Sequence, residues 1–154
     1  MKLKSINYGN LDSIGNEIKY NYSYEKPDFA SEVGGFKLIK MDWVDDDYNG
    51  DYFTYEKRNF DLNYMSSIDN VVEDRIIELP KGYKPTELVK EKKLSCPAAD
   101  YQMTLKFEKG KIIGKRIFKY KKTKISTSEY AEFKKFMTDV SNSDKTQILL
   151  SKGK

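Results

Sequence analysis

Residues 101–122 read YQMTLKFEKGKIIGKRIFKYKK, and this stretch decides the fold class. Two runs, Tyr101 to Glu108 and Lys111 to Lys122, flank Lys109-Gly110. A short pair containing Gly between two such runs reads as a tight hairpin turn, although Asn-Gly or Asp-Gly is the stronger signal. In the second run, Ile112, Phe118 and Tyr120 share one face of an extended strand, and Lys111, Lys115, Lys119 and Lys121 share the other. Side chains alternate across a strand, so one face is set for a core and one for water.

The same reading extends outward. Leu3 to Tyr8 and Glu17 to Tyr24 form strands joined through the turn-rich GNLDSIGN, and Ile18, Tyr20, Tyr22 and Tyr24 recur at period two. Phe36 to Val44 is short, apolar and bounded by Gly; Tyr52 to Lys57 follows a polar loop and alternates. Val71 to Leu79 is β-branched and stops at Pro80, after which PKGYKP is turn chemistry. One helix is predicted at about 127–141. Ser126 to Glu129 supply a capping box, and Tyr130, Phe133, Phe136, Met137 and Val140 recur at helical spacing. Gln147 to Leu150 closes the chain as a short strand. The expected fold is mainly β, a two-layer antiparallel β-sandwich with one amphipathic C-terminal helix, in a single domain over 1–154.

The 154 residues include 12 Tyr and 8 Phe, an aromatic load that disordered chains avoid. No apolar run approaches the roughly 18 residues that cross a bilayer, and MKLKSINYGNLDSIG carries no apolar signal core. The single Cys precludes an intrachain disulfide, and the absence of His excludes Cys-His and Ser-His-Asp catalysis within the chain. The net charge of +4 conceals a split. Residues 1–80 hold nine Lys/Arg against sixteen Asp/Glu, and residues 81–154 hold nineteen against eight. Such a split suits an acidic ligand, but the plainer reading is that the halves neutralise each other in the folded chain.

The order of elements resembles a known family. IIELPKGYKPTEL, then a strand pair, then STSEYAEFKKFMTDVSNSDKTQILLSK, is similar to the C-terminal domain that follows a transglutaminase-like module in bacterial envelope proteins. KSINYGNLDSIGNEIKYNYSY resembles its opening strand–turn–strand, and GGFKLIKMDW followed by EKRNFDLNY its middle, where Arg58 precedes an extended segment. The resemblance implies a β-sandwich accessory domain without activity of its own, periplasmic or extracellular. Its partners would be the neighbouring transglutaminase-like module or another envelope protein. The papain-like Cys-His-Asp chemistry of such proteins sits in the preceding module, so none of it transfers to these residues. Cys96, in LSCPAAD, has only Lys92 and Lys93 near it in sequence to favour a thiolate and reads as a structural thiol.

Three constellations bear on binding. In DDDYNGDYFTYE, Asp45, Asp47, Asn49 and Glu56 occupy positions 1, 3, 5 and 12 of a calcium loop, with Gly50 at position 6. The flanks read as strands rather than helices, so a solvated acidic hairpin tip is the plainer account. No cofactor is expected, with Ca2+ the alternative. Next, the lysines of residues 109–124, Lys115, Lys119 and Lys121 among them, suit an acidic protein or polysaccharide partner. Nucleic acid is disfavoured because the strand's aromatics fall on the core face. Lastly, Trp43, Tyr48, Tyr52 and Tyr55 surround the acidic loop and could form a sugar-binding platform, although such residues are more often sheet core. With no His, no Gly-rich phosphate loop and no Cys cluster, the chain is expected not to be an enzyme.

Overall fold

A computed structural model describes residues 1–12, 14–43, 53–63 and 70–153. The chain forms two compact units, residues 1–31 and 32–154. In the first, β1 (Lys2–Gly9) and β2 (Lys19–Glu25) make an antiparallel hairpin with Ile6 opposite Tyr22 and Tyr8 opposite Tyr20. The period-two tyrosines stack along one face, with ring centroids 6.0 Å apart for Tyr20–Tyr22 and 5.9 Å for Tyr22–Tyr24.

Among the described residues, ten further strands and one helix follow in chain order. The strands are β3 (Ser31–Val33), β4 (Phe36–Lys40), β5 (Leu62–Asn63), β6 (Asn70–Glu78), β7 (Tyr83–Pro85), β8 (Glu91–Ser95), β9 (Ala99–Glu108), β10 (Lys111–Tyr120), β11 (Lys124–Ile125) and β12 (Gln147–Lys152). The helix, α1, spans Tyr130–Asp144. Two four-stranded sheets result, ordered β3-β4-β12-β7 and β6-β10-β9-β8, and β5 pairs with β11. All the registered pairs are antiparallel. The protein is thus mainly β, built of several antiparallel sheets with one helix near the C-terminus.

The deciding hairpin forms as its alternation predicts. Lys109 and Gly110 both take positive φ, 49° and 78°, as a type I′ turn requires. On β10 the even-numbered residues Ile112, Arg116, Phe118 and Tyr120 are buried. Position 114 falls on that face by the same alternation, and it is Gly because a β-carbon there would lie 2.5 Å from Met41 Cε and 2.9 Å from Trp43 Cη2. On β9, Tyr101, Met103 and Leu105 line the same side. Helix α1 covers this side with Phe133, Phe136, Met137 and Val140, and Phe136 meets Phe118 edge-on at 5.8 Å. Each such buried ring contributes about 1.5–3 kcal/mol relative to leaving it in water.

Three boundaries differ from the sequence expectation. The strand expected over Phe36 to Val44 pairs only as far as Lys40, although Ile39, Met41 and Trp43 keep alternating into the core; Val44 lies outside the described residues. The helix begins and ends three residues later than expected. Glu129, the last member of the predicted box, folds back so that its carboxylate accepts the Ser126 N–H and Oγ–H, and α1 starts at Tyr130. At the other end, Ser143 Oγ donates back to the Asp139 carbonyl at 2.7 Å, keeping the last turn helical. The strand expected over Tyr52 to Lys57 does not form within its described part, residues 53–57. Phe53 instead packs edge-on against Phe133 at 5.7 Å, and the Tyr55 carbonyl accepts from Tyr130 Oη and Lys134 Nζ rather than from a ladder.

Candidate functional site

Strand β10 carries charge on both faces, and the two sets behave differently. Outward, Lys111 Nζ meets Glu78 at 2.6 Å and Lys115 Nζ meets Asp74 at 3.4 Å, each directly across the ladder on β6. Lys121, just past the strand, pairs with Asp100 at 2.9 Å. The Asp100 carboxyl lies below its ordinary value because Ser95 Oγ, and then Lys121, hydrogen-bond it. Lys119 stands exposed on the same side. The basic strand of the second half therefore lies against the acidic strand of the first, and the charge split is in part a pairing within the fold.

Inward, Arg116 is 1% exposed and holds a buried group of charges. Its Nη1 donates to Asp144 Oδ2 at 2.9 Å and its Nη2 to Glu73 Oε2 at 3.0 Å. Arg75 Nη2 donates to the other Glu73 oxygen at 2.6 Å, and Tyr101 Oη to Asp144 Oδ1 at 2.5 Å. Burial pushes the Asp144 carboxyl above its ordinary value, against the pull of Tyr101 and Arg116. Asp144 closes α1, where a carboxylate is ill placed against the helix dipole, so these partners are what retain it. Arg116 and Asp144 are each 1% exposed, and Glu73 and Arg75 13% and 11%. The group ties the last helical turn to β10 and β6.

Trp43 belongs to this group and not to a surface. It is 3% exposed, with the Arg116 guanidinium 5.3 Å from its ring, so it offers no face to a sugar. Among the described residues its indole N–H finds no acceptor. Sequence reasoning missed Arg116, Asp144 and Glu73. The available signal was parity: Arg116 is an even number of residues from Ile112 and Phe118, on the core face.

Asp45, Asp47, Asn49, Gly50, Tyr48 and Tyr52 lie outside the described residues. Glu56 is described and exposed. Among the described residues no three His, Cys, Asp or Glu side chains converge as metal ligands. Cys96 is buried in the tight β8–β9 connection, where its N–H donates to the Ala99 carbonyl at 2.9 Å. No helix among the described residues is long and apolar enough to cross a membrane.

Shallow depressions occur on the surface formed by the described residues. One, of about 370 Å³, lies over β8, β9 and β10 beside Lys93, Ser95, Asp100 and Lys119. Two of its polar groups answer each other, since Ser95 Oγ donates to Asp100 at 2.6 Å. Another, of about 240 Å³, is lined by Tyr55, Lys57, Arg58, Asn59, Phe60 and Asp61. Tyr55 and Phe60 are 69% and 83% exposed.

Residues 43–150 match the DUF3858 family, described as a domain of unknown function with a solved structure. This chain belongs to the DUF3858 family. The match takes in the buried charge group and the 55–61 depression, while the β1–β2 hairpin precedes it. No curated protein matches the chain. Among solved structures, this DUF3858 chain is similar to a protein from Parabacteroides distasonis described as a "putative protease". The TM-score is 0.61 and the identity 17%, over 77% of this chain and 24% of that one. The likeness is one of fold, and the chain spans about a quarter of that protein's length.

Proposed function

We propose that the chain is a non-catalytic accessory domain of a transglutaminase-like bacterial envelope protein, working outside the cytoplasm by packing against its neighbouring module. The observation that carries this reading is the proportion of the fold likeness, which takes in most of this chain and only 24% of a much longer protein. That is what a companion module attached to a separate catalytic part looks like. The side-chain chemistry supports it. The most deeply buried charges, Arg116 and Asp144, are spent on each other, on Tyr101 and on Glu73. A reaction centre needs at least one such group turned toward a cleft.

The test has two parts. The purified chain is assayed for peptide hydrolysis and for release of ammonia from a glutaminyl donor with an amine acceptor. It is then compared, fused and unfused, for its effect on the melting temperature of a transglutaminase-like module. The expected result is no turnover above buffer and a higher melting temperature for the fused module. Turnover by the isolated chain, or a catalytic module indifferent to its presence, would overturn the proposal.

A further inference from the structure

We infer that the depression over residues 55–61 is a binding site for a carboxylate-bearing sugar, with Arg58 as the carboxylate's partner. The segment is tied down at both ends. At one end the Tyr55 carbonyl accepts from Tyr130 Oη at 3.0 Å and from Lys134 Nζ at 3.1 Å. At the other, Asp61 accepts the Thr127 N–H at 3.0 Å and pairs with Lys124 at 3.0 Å. The residues between these anchors are held in place before any ligand arrives, which lowers the ordering cost of binding.

Between the anchors stand donors without acceptors. The Arg58 guanidinium is half-buried and rests 5.4 Å from the centre of the Tyr130 ring. A cation–π contact uses the charge of the guanidinium and none of its N–H groups as hydrogen-bond donors, so a bidentate fork that matches a carboxylate is still available. Among the described residues no side chain or carbonyl takes those hydrogens, and Lys57 and Asn59 likewise donate to none. Asp61, the one acid of the lining, is already engaged by Thr127 and Lys124 and does not cancel Arg58.

The rings supply the rest. Tyr55 and Phe60 line the same depression and lie largely in solvent. Exposed flat rings beside a cation and an amide suit a pyranose: the ring C–H groups pack on the aromatic face, the carboxylate takes the guanidinium, and the hydroxyls take Asn59 and Lys57. The size fits as well. About 240 Å³ falls just below the roughly 300–1,000 Å³ of drug-sized pockets and is room for a single sugar unit. A nucleic-acid strand would need a track of cations along its phosphates, and this lining offers only Lys57 and Arg58. The inference is independent of the accessory role, which stands or falls on its own assays.

The purified chain is titrated with a galacturonate trisaccharide, its neutral methyl-ester form, and a short oligothymidylate, following backbone and arginine side-chain N–H signals by NMR. Saturable shifts confined to residues 55–61 and the Arg58 side chain are expected with the acidic sugar. The neutral ester should bind at least about tenfold more weakly, as should Arg58→Gln, since a charge-assisted hydrogen bond of this kind is worth roughly that factor or more. Arg58→Lys should recover only part of the loss, because an ammonium cannot form the fork. Phe60→Ala, at an exposed position, tests the ring contact without disturbing the fold, and unchanged urea midpoints for every variant exclude a folding effect. No saturable shift at millimolar sugar, equal binding of the ester, or equal binding of oligothymidylate would each overturn the assignment.

Discussion

Replacing Arg116 by methionine removes the centre of the buried charge group while keeping most of its volume. What remains is Asp144, whose side chain is 1% exposed and retains only Tyr101 among the partners described above. Glu73 keeps Arg75. Breaking a buried pair from one side costs about 3–5 kcal/mol, because the surviving charge cannot regain water. Against a domain stability of about 5–15 kcal/mol, the variant should still fold but unfold much earlier. With a urea slope of about 1–3 kcal/mol per molar, the midpoint should fall by about 2 M.

Two further measurements separate this cause from simple loss of packing. In Arg116→Met combined with Asp144→Asn, the buried charge is gone and the Tyr101 hydroxyl still has an oxygen to donate to. The double variant should regain more than half of the loss, a coupling of about 2–3 kcal/mol in a double-mutant cycle. The second measurement is pH. Burial already holds Asp144 above its ordinary 3.8, and removing Arg116 raises it further. A carboxyl raised by folding binds its proton more tightly in the native state, so its burden on stability grows as pH rises through and above 3.8. The Arg116→Met deficit should therefore be largest near neutrality and shrink on acidification. A cost below about 1 kcal/mol, additive single effects, or a pH-independent deficit would refute the reasoning.

Other perturbations follow from the same packing. Gly114→Ala brings a β-carbon to within 2.5 Å of Met41 Cε, 2.9 Å of Trp43 Cη2 and 3.1 Å of Leu105 Cδ2. It should cost about 1–3 kcal/mol by urea unfolding and shift the emission of the chain's sole Trp; unchanged emission and stability would contradict the close approach. Glu129 has its carboxyl lowered from 4.5 to about 2, first by Lys122 and then by the Ser126 hydroxyl and N–H. Folding thus favours its charged form, and that contribution is complete above pH 4.5 and lost as pH falls through about 2. Glu129→Gln should be less stable than the parent near neutrality, with the gap closing between pH 4.5 and 2. A gap that stays constant in urea melts across that range would assign the loss to something other than the carboxylate.

The parts of the fold legible in sequence are those whose cause is local. The β9–β10 hairpin follows from alternation and a Lys-Gly turn, and the tyrosines of β2 stack on one face because they are two residues apart. The capping box was legible, since Glu129 reaches back to accept the Ser126 N–H as such a box does, but the helix proper begins only at Tyr130. The failed strand at 53–57 shows the limit most clearly. TYEK alternates as a strand should, yet Phe53 is worth more in the aromatic cluster with Tyr130 and Phe133, and the backbone follows it. The Arg58 depression was half legible: Tyr55 was marked as a platform ring, but Arg58 depends on a cation–π partner at Tyr130, 72 residues on in sequence.

The charges of β10 were read as one basic run, and their separation into two faces gives that run its purpose. The outward lysines sit in water, where each ion pair is worth about 0–1 kcal/mol, so Lys111 and Lys115 cannot by themselves decide how β10 lies on β6. Arg116 can. Shifting the strand by one residue exchanges its faces, turning Arg116 out and Lys115 and Ile117 in. In the slip that brings Ile117 opposite Glu73, Lys115 enters the core in the place of Gly114, among Met41, Trp43 and Leu105, and Asp144 loses its counter-charge at the same moment. Each error costs several kcal/mol, against a fraction of one for the surface pairs it disturbs. A wholly apolar inner face would still bury Lys115 in the slipped register, and Arg116 adds to that penalty the stranding of Asp144. The buried group is therefore best understood as the element that makes one pairing of the acidic and basic halves of the chain correct.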